Sequence, residues 1–167
     1  MENIIETMDS KILTNILNKA FNTVAMQFNY TKENAPKFPA FMDSSVIEYG
    51  LKNGLKMYGY FADDQIIGCV GYSFFKDQIY FIERLATLPE YRRKGIGKKL
   101  IEYVENKIRE NNGKIIEIHV VDENIKLIEW YKKLGFVYIR TDDLSTIVKD
   151  GKKIFPFNSY VMNKKFE

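Results

Sequence analysis

A change of hydrophobic pattern near residue 89 constrains the fold of this chain more than any other feature. Three strand-like stretches precede that point, and the two-residue turns Asp63-Asp64 and Lys76-Asp77 separate them: residues 55–62, 65–75 and 78–88. After Gly97 the apolar residues recur at helical spacing instead, at Leu100, Ile101, Val104 and Ile108. The pattern therefore predicts an antiparallel three-stranded meander that leads through a short loop into an amphipathic helix.

The same patterns assign the rest of the chain. Asp9-Ser10 and Asp43-Ser44 are typical helix starts, and Asn111-Asn112-Gly113 is a helix stop. The further predicted elements are strands at 4–6, 114–121, 136–140 and 154–162, and helices at 10–28, 44–54 and 124–134. Residues 78–121 should form a parallel strand–helix–strand crossover. We therefore expect a single domain over residues 1–167, a three-layer α/β/α sandwich with a mixed, mostly antiparallel sheet.

Composition narrows the classes of function. The chain has 167 residues, a net charge of +3, one cysteine (Cys69) and one histidine. This mild charge does not indicate a nucleic-acid surface, and no apolar run reaches the length of a membrane span. Without a disulfide framework or a secretory leader, the cytoplasm is the expected location. Asp122-Glu123 beside His119 lacks a defensible ligand-pair spacing, so no metal site is expected.

The loop between the meander and the helix reads Arg92-Arg93-Lys94-Gly95-Ile96-Gly97. Unpaired N–H groups and the helix dipole at such a helix start favour anions, and glycines let a ligand approach the backbone. A diphosphate would suit this site. The glycine spacing excludes a Walker A loop, and the missing third glycine argues against the dinucleotide motif. An ordinary basic helix cap is the alternative interpretation.

These residues resemble the GNAT superfamily of acetyl-CoA-dependent N-acetyltransferases. The family signature, (Q/R)-x-x-G-x-(G/A) after the fourth strand, matches residues 92–97 at every fixed position. A second family feature is an Asn after the fifth strand, followed by a helix that ends in Tyr-x-x-x-Gly-Phe. Asn124 and Tyr131-Lys132-Lys133-Leu134-Gly135-Phe136 match it. The match is strong over about residues 55–140 and holds only in outline before them.

The resemblance implies a cofactor site and a sheet whose fourth and fifth strands splay apart. Acetyl-CoA would be the co-substrate, with its diphosphate on the amides of residues 93–98 and its pantetheine along the fourth strand. Asn124 would contact the pantetheine from the other side, and Tyr131 would lie near the thioester sulfur. The implied cofactor-binding residues are Leu85, Ala86, Thr87, Arg92, Arg93, Lys94, Gly95, Ile96, Gly97, Lys98, Asn124 and Tyr131.

Acetyl transfer to an amine needs a base for the amine and a proton for the leaving thiolate. Tyr131 is the candidate acid, although it could simply pack its helix onto the sheet. Glu83 is the first candidate base, because a carboxylate inside the apolar run 80–83 is costly unless it has a partner or a function. Pairing with Arg84 is the alternative for Glu83. His119 is the second candidate base, and a structural histidine is its alternative.

The acceptor should enter opposite the CoA arm, between the first two helices and the hairpin of the last two strands. These segments carry the aromatic residues Phe28, Tyr30, Phe38, Phe41, Phe155, Phe157 and Tyr160, most of them expected in the core. The predicted function is therefore that of an N-acetyltransferase that acts on a primary amine of a small molecule or peptide. We expect no nucleic-acid or membrane partner, and we expect a homodimer. The alternatives are a non-catalytic acyl-CoA-sensing domain and a nucleic-acid-binding module.

Overall fold

The computed structural model describes residues 3–166. Seven of its strands form one mixed sheet in the order β1-β2-β3-β4-β5-β9-β6, and the other two form a small hairpin. The strands are β1 (Ile4–Glu6), β2 (Lys56–Ala62), β3 (Gln65–Lys76), β4 (Ile79–Thr87), β5 (Ile115–Val121), β6 (Val137–Asp142), β7 (Val148–Lys149), β8 (Lys152–Lys153) and β9 (Ser159–Lys165). The α-helices are α1 (Ser10–Phe28), α2 (Ser44–Lys52), α3 (Ile96–Glu110) and α4 (Ile125–Lys133).

The sequence signals for helix boundaries act as expected. The Asp9 carboxylate accepts hydrogen bonds from the amides of Lys11 and Ile12, each at 3.1 Å, and so begins α1. The Asp43 carboxylate likewise caps α2 through the amide of Ser45 at 2.8 Å. The apolar face of α3 is buried in the main core, as its spacing predicts. The predicted α/β sandwich is confirmed, with helices on both faces of the sheet.

Strands β4 and β5 run parallel, yet they pair only over Ile79–Phe81 and Ile115–Glu117. Beyond Phe81 the two strands diverge, although β4 continues to Thr87 and β5 to Val121. A bulge in β4 accompanies the divergence, because the register against β3 shifts between Cys69 and Gly71. At this bulge Arg84 has a φ of +58°, a left-handed conformation that is uncommon for a non-glycine residue. The predicted splay of the fourth and fifth strands is therefore confirmed.

The C-terminal region differs from the sequence prediction. The last strand was predicted at residues 154–162, but β9 begins at Ser159 and extends to Lys165. Pro156 explains the difference, because proline cannot donate a ladder hydrogen bond and is excluded from an interior strand. The turn predicted at Asp150-Gly151 does exist, and it joins β7 to β8 in the small hairpin.

Two apolar cores lie on the sheet. The larger one joins the inner faces of α1, α3 and α4 to the strands, whereas the smaller one surrounds Tyr30 and Phe38. Phe28 and Phe41 pack against this smaller core, and Tyr160 packs against the larger one. These three residues thus pack against the cores, as the sequence analysis predicted for most of the aromatic residues in the acceptor-side segments. Across residues 3–166, none of the helices combines the length and apolarity that a bilayer crossing requires.

Candidate functional site

The loop before α3 presents a row of backbone donors. Between residues 3 and 166, no acceptor is found for the amides of residues 93–98, and the first helical bond is from the Lys99 amide to the Gly95 carbonyl, at 3.1 Å. Gly95 lies at the N-cap of α3 with a φ of +77°, and no side chain caps the helix. Six successive N–H groups therefore remain available at the positive end of a helix dipole, which is an arrangement suited to a diphosphate.

The first arginine of the signature holds this loop in place. The Arg92 guanidinium donates to the Ala20 carbonyl at 2.7 Å, to the Thr23 hydroxyl at 2.9 Å and to the Thr87 carbonyl at 3.3 Å. These three bonds connect the loop to α1 and to the end of β4. Arg92 thus fixes the position of the loop. Its guanidinium bonds to protein groups and not to a phosphate site.

A cavity of about 350 Å³ opens in front of the loop. Ten of the predicted cofactor-binding residues line it: Leu85, Ala86, Thr87, Arg92, Arg93, Gly95, Ile96, Gly97, Lys98 and Asn124. Lys94 is outside this lining, and its ammonium group lies 5.4 Å from the centroid of the Tyr91 ring. Tyr131 is also outside it and borders a second cavity. We call the first space the loop cavity.

The second cavity, of about 450 Å³, adjoins the loop cavity, and five residues border both: Phe21, Val24, Leu85, Asn124 and Leu127. It occupies the gap between β4 and β5. Glu83, His119 and Tyr131 all line it, so the structure brings the three predicted catalytic residues to one space. We call this space the gap cavity. Of the aromatic residues expected near an acceptor, Phe38, Phe155 and Phe157 line it, and α2 contributes none of its lining.

Asn124 stands at the junction of the two cavities. Its side-chain oxygen accepts a hydrogen bond from the Leu127 amide at 3.3 Å and thereby caps α4. The side-chain amide nitrogen of Asn124, Nδ2, makes no hydrogen bond within the described part of the chain. Asn124 can therefore cap its helix and still donate to a ligand that passes from one cavity to the other.

Tyr131 is buried on α4, and its ring packs edge-to-face on Trp130 and Phe136, at centroid distances of 5.0 and 5.6 Å. Burial raises the pKa of the Tyr131 phenol well above its ordinary value. The phenol therefore keeps its proton at neutral pH. This side chain can donate a proton or a hydrogen bond at the gap cavity but cannot act there as a base.

Glu83 is half-buried on β4 and already has neighbours. Its Oε2 accepts a hydrogen bond from the Ser73 hydroxyl at 3.2 Å, and its Oε1 lies 3.9 Å from Nε of Arg84. The ion pair with Arg84 that the sequence offered as the alternative is thus present, although it is too long for a hydrogen bond. Glu83 contributes negative charge to the gap cavity.

His119 belongs to a network that the sequence only partly indicated. Its Nε2 lies 2.9 Å from Oε1 of Glu117, and its Nδ1 lies 3.0 Å from the Ser159 hydroxyl. Arg140 donates to the same Glu117 oxygen at 3.1 Å. Strand alternation places Glu117 and His119 on one face of β5. This spacing is the sequence signal from which their contact could have been predicted. Ser159 and Arg140 come from β9 and β6, and no sequence signal connects them to His119.

The Glu117 carboxylate fixes the tautomer of His119. An ionised carboxylate only accepts, so in the neutral imidazole the proton is on Nε2. Nδ1 then accepts a hydrogen bond from the Ser159 hydroxyl at 3.0 Å, at the border of the gap cavity. The arrangement is that of a base oriented by a buried carboxylate.

Cys69 is not a candidate nucleophile. It is fully buried in β3, and burial raises the pKa of its thiol to about 12. A thiol with that pKa is a poor nucleophile at neutral pH. As far as the structure describes the chain, His, Cys, Asp and Glu side chains form no group of three that could hold a metal ion.

Comparison with known proteins identifies the family. The sequence model of the acetyltransferase (GNAT) family matches residues 16–136. This match covers most of the chain, the signature loop, β5 and α4 included. The chain therefore belongs to the GNAT acetyltransferase family.

Individual relatives agree with this assignment. The chain is 35% identical over 94 residues to the uncharacterized protein YxbD of Bacillus subtilis, which covers 54% of this chain and 57% of YxbD. It is 36% identical over 86 residues to N-alpha-acetyltransferase 50 of Danio rerio, which covers 50% of this chain and 48% of that protein. The chain thus spans about half the length of the curated relatives it matches.

Solved structures share the fold. The PaiA N-acetyltransferase of Thermoplasma acidophilum, solved in complex with coenzyme A, superposes with a TM-score of 0.65 and 20% identity, over 98% of this chain and 99% of that one. At this identity the likeness establishes the fold, which extends over the N-terminal third that the sequence matched only in outline.

Proposed function

We propose that this protein transfers an acetyl group from acetyl-CoA to a primary amine. The observation that carries the proposal is that a row of unpaired backbone amides lies at a cavity that adjoins a second one, and that an oriented histidine and a protonated tyrosine both line the second. The first feature suits a diphosphate and the second suits acyl transfer. Membership of the GNAT family supports the same reading.

The residues present fit acetyl-CoA. The amides of residues 93–98 would hold its diphosphate, with positive charge from Arg93 and Lys98. The edge of β4 that faces β5 is unpaired beyond Phe81, so Leu85, Ala86 and Thr87 offer backbone groups to an extended pantetheine arm. Asn124 would bind the arm from α4. When bound, acetyl-CoA supplies the acetyl group as a thioester, and transfer releases the free CoA thiol.

Tyr131 is the proposed acid. The residue lines the gap cavity and its phenol is protonated at neutral pH, so it can give a proton to the sulfur as the carbon–sulfur bond breaks, although burial makes it a weaker acid than a free tyrosine. A backbone N–H on the open edge of β4 is the proposed donor to the acetyl oxygen, where negative charge develops.

His119 is the proposed base, ahead of Glu83, which the sequence had favoured. The Nδ1 lone pair can receive the proton of the amine, either directly or through the Ser159 hydroxyl at 3.0 Å. The imidazolium that forms is stabilised by Glu117 at 2.9 Å, and Glu117 is itself held by Arg140. Glu83 is bonded to Ser73 and paired with Arg84. It is therefore better placed to attract the ammonium form of the acceptor than to act as the base that removes its proton.

Replacing His119 with Gln should lower kcat/KM about 10²-fold at neutral pH, because Gln keeps hydrogen-bonding groups but cannot take a proton. The deficit should shrink as the pH rises toward the amine pKa of about 10.4, where the acceptor no longer needs a base. A pH series of initial rates measures this, with Glu83→Gln as the matched control. If Glu83→Gln shows the pH-dependent loss and His119→Gln does not, Glu83 is the base.

The activity itself is tested by free thiol release from acetyl-CoA against a panel of polyamines, amino acids, aminoglycosides and peptide N-termini, with mass spectrometry of the products. At least one amine should gain 42 Da and release thiol in equal amount, the mass being that of an acetyl group that replaces a proton. Tight binding of acetyl-CoA with no turnover of any amine would instead support the acyl-CoA-sensing alternative. The single domain, the homodimer and the cytoplasmic location stay predictions.

A further inference from the structure

Arg84 lines the gap cavity, and its charge has only a distant ion pair with Glu83. Throughout residues 3–166, no hydrogen-bond acceptor is found for its guanidinium, and its Nε is completely buried. The nearest carboxylate oxygen, Oε1 of Glu83, is 3.9 Å from Nε, beyond hydrogen-bonding distance. Arg92 and Arg140, in contrast, each donate several hydrogen bonds to protein oxygens.

Two costs coincide at this residue. The buried Nε is a donor without a partner, which is destabilising, although the Arg84 side chain as a whole is 26% exposed. Residue 84 also adopts a φ of +58°, which an L-residue with a long side chain disfavours. The bulge of β4 accounts for this backbone conformation, so the indication of a ligand comes from the side chain, which lines the cavity and has no hydrogen-bond acceptor among the described residues.

The surroundings of Arg84 specify that ligand. Arg84 and Glu83 both line the gap cavity and place a positive and a negative charge 3.9 Å apart. Aromatic rings of Phe38, Phe155 and Phe157 line the same cavity. An α-amino acid matches this pattern, because its ammonium and carboxylate groups are attached to the same carbon and its side chain projects away from both.

We propose that the acceptor is a free α-amino acid with an apolar side chain, whose carboxylate binds the Arg84 guanidinium. This assignment rests on the proposed acetyltransferase activity and adds the class of amine. A carboxylate offers two anionic oxygens to the planar guanidinium fork, and such charge-assisted pairs are about twice as strong as neutral hydrogen bonds. The first peptide bond of a peptide N-terminus would offer only a neutral carbonyl at this place.

The test compares leucine, methionine, phenylalanine and tryptophan with two neutral series: their decarboxylated amines and their carboxamides. Wild-type protein should acetylate at least one amino acid with a kcat/KM about 10²-fold above that of its decarboxylated amine. The carboxamides, which imitate a peptide N-terminus, should react as slowly as the decarboxylated amines.

Two variants isolate the guanidinium. Arg84→Gly removes it and is compatible with the left-handed backbone, whereas Arg84→Lys keeps the charge but lacks the fork. Arg84→Gly should reduce kcat/KM for the amino acids to about the value for their decarboxylated amines, and Arg84→Lys should fall between. Because each variant is compared with wild type on the same amine, differences in amine reactivity cancel. Calorimetric titration with acetyl-CoA verifies that every variant is folded.

The outcomes separate this inference from the function beneath it. If wild type acetylates carboxamides or decarboxylated amines as fast as amino acids, or if Arg84→Gly slows all acceptors equally, the carboxylate assignment is wrong and the acetyltransferase activity stands. If acetyl-CoA binds and no member of these series is acetylated, the carboxylate assignment is wrong, and the acetyltransferase proposal is wrong as well only if the polyamines, aminoglycosides and peptide N-termini also give no product.

Discussion

Replacing Gly95 with Asp should weaken acetyl-CoA binding about 10²-fold without lowering the melting temperature. Gly95 has a φ of +77°, a conformation that Asp and Asn tolerate better than other side chains, and a Cβ there would meet no atom within 4 Å. The new carboxylate would lie at the N-cap of α3, where it stabilises the helix. It would also repel a diphosphate bound to the same amides, by about 3 kcal/mol for unit charges about 5 Å apart at an effective dielectric constant of 20.

Gly95→Asn is the matched control for this prediction. It adds nearly the same atoms in the same backbone conformation but no charge, so it should retain most of the affinity. Isothermal titration with acetyl-CoA measures both variants, and thermal unfolding reports on the fold. Equal affinity of the Asp and Asn variants would mean that the loop cavity does not hold the diphosphate.

Replacing Tyr131 with Phe should lower kcat by at least about 10²-fold and leave the affinity for acetyl-CoA unchanged. General acids contribute about 10²–10⁴-fold to the rate, and the variant loses only the phenolic proton. The ring keeps its edge-to-face contacts with Trp130 and Phe136, so the core around α4 should stay packed. Thiol release at saturating acetyl-CoA measures kcat, and calorimetry measures the affinity.

Tyr91→Phe provides the control for this variant. Tyr91 lines the loop cavity, and its contact with Lys94 involves the ring and not the hydroxyl group. Its replacement should change kcat less than threefold. If Tyr131→Phe is equally harmless, Tyr131 serves only to pack α4 and the proton comes from another donor.

The sequence predicts the parts of this protein in which a local pattern determines a local structure. The Asp9 and Asp43 helix caps, the turn at Asp63-Asp64 and the apolar face of α3 all follow from neighbouring residues, whereas the second meander turn lies at Asp77-Gln78, one residue later than predicted. The loop before α3 was accessible for the same reason, because Gly95, Gly97 and the helix that follows are adjacent in the chain. The divergence of β4 and β5 was expected only through the family resemblance, since no pattern within either strand predicts it.

What the sequence could not supply depends on strands distant in the chain. His119 is oriented by its neighbour Glu117, but Arg140 and Ser159 reach it only because β6 and β9 lie beside β5 in the sheet. The choice between Glu83 and His119 as base depends on those contacts. The start of β9 was misplaced because the apolar run from Ile154 onward outweighed Pro156 in the pattern.

The short pairing between β4 and β5 has a consequence for how the protein should respond to its ligand. Only residues 79–81 of β4 bond to β5, so the two halves of the sheet are joined by three residue pairs. An extended ligand in the gap would act as an additional strand and complete the missing ladder. Amide protons of residues 82–87 that point toward β5, and not those bonded to β3, should therefore exchange with solvent deuterium readily in the free protein and slowly in the loaded one, a signature that depends on neither turnover nor the identity of the acceptor.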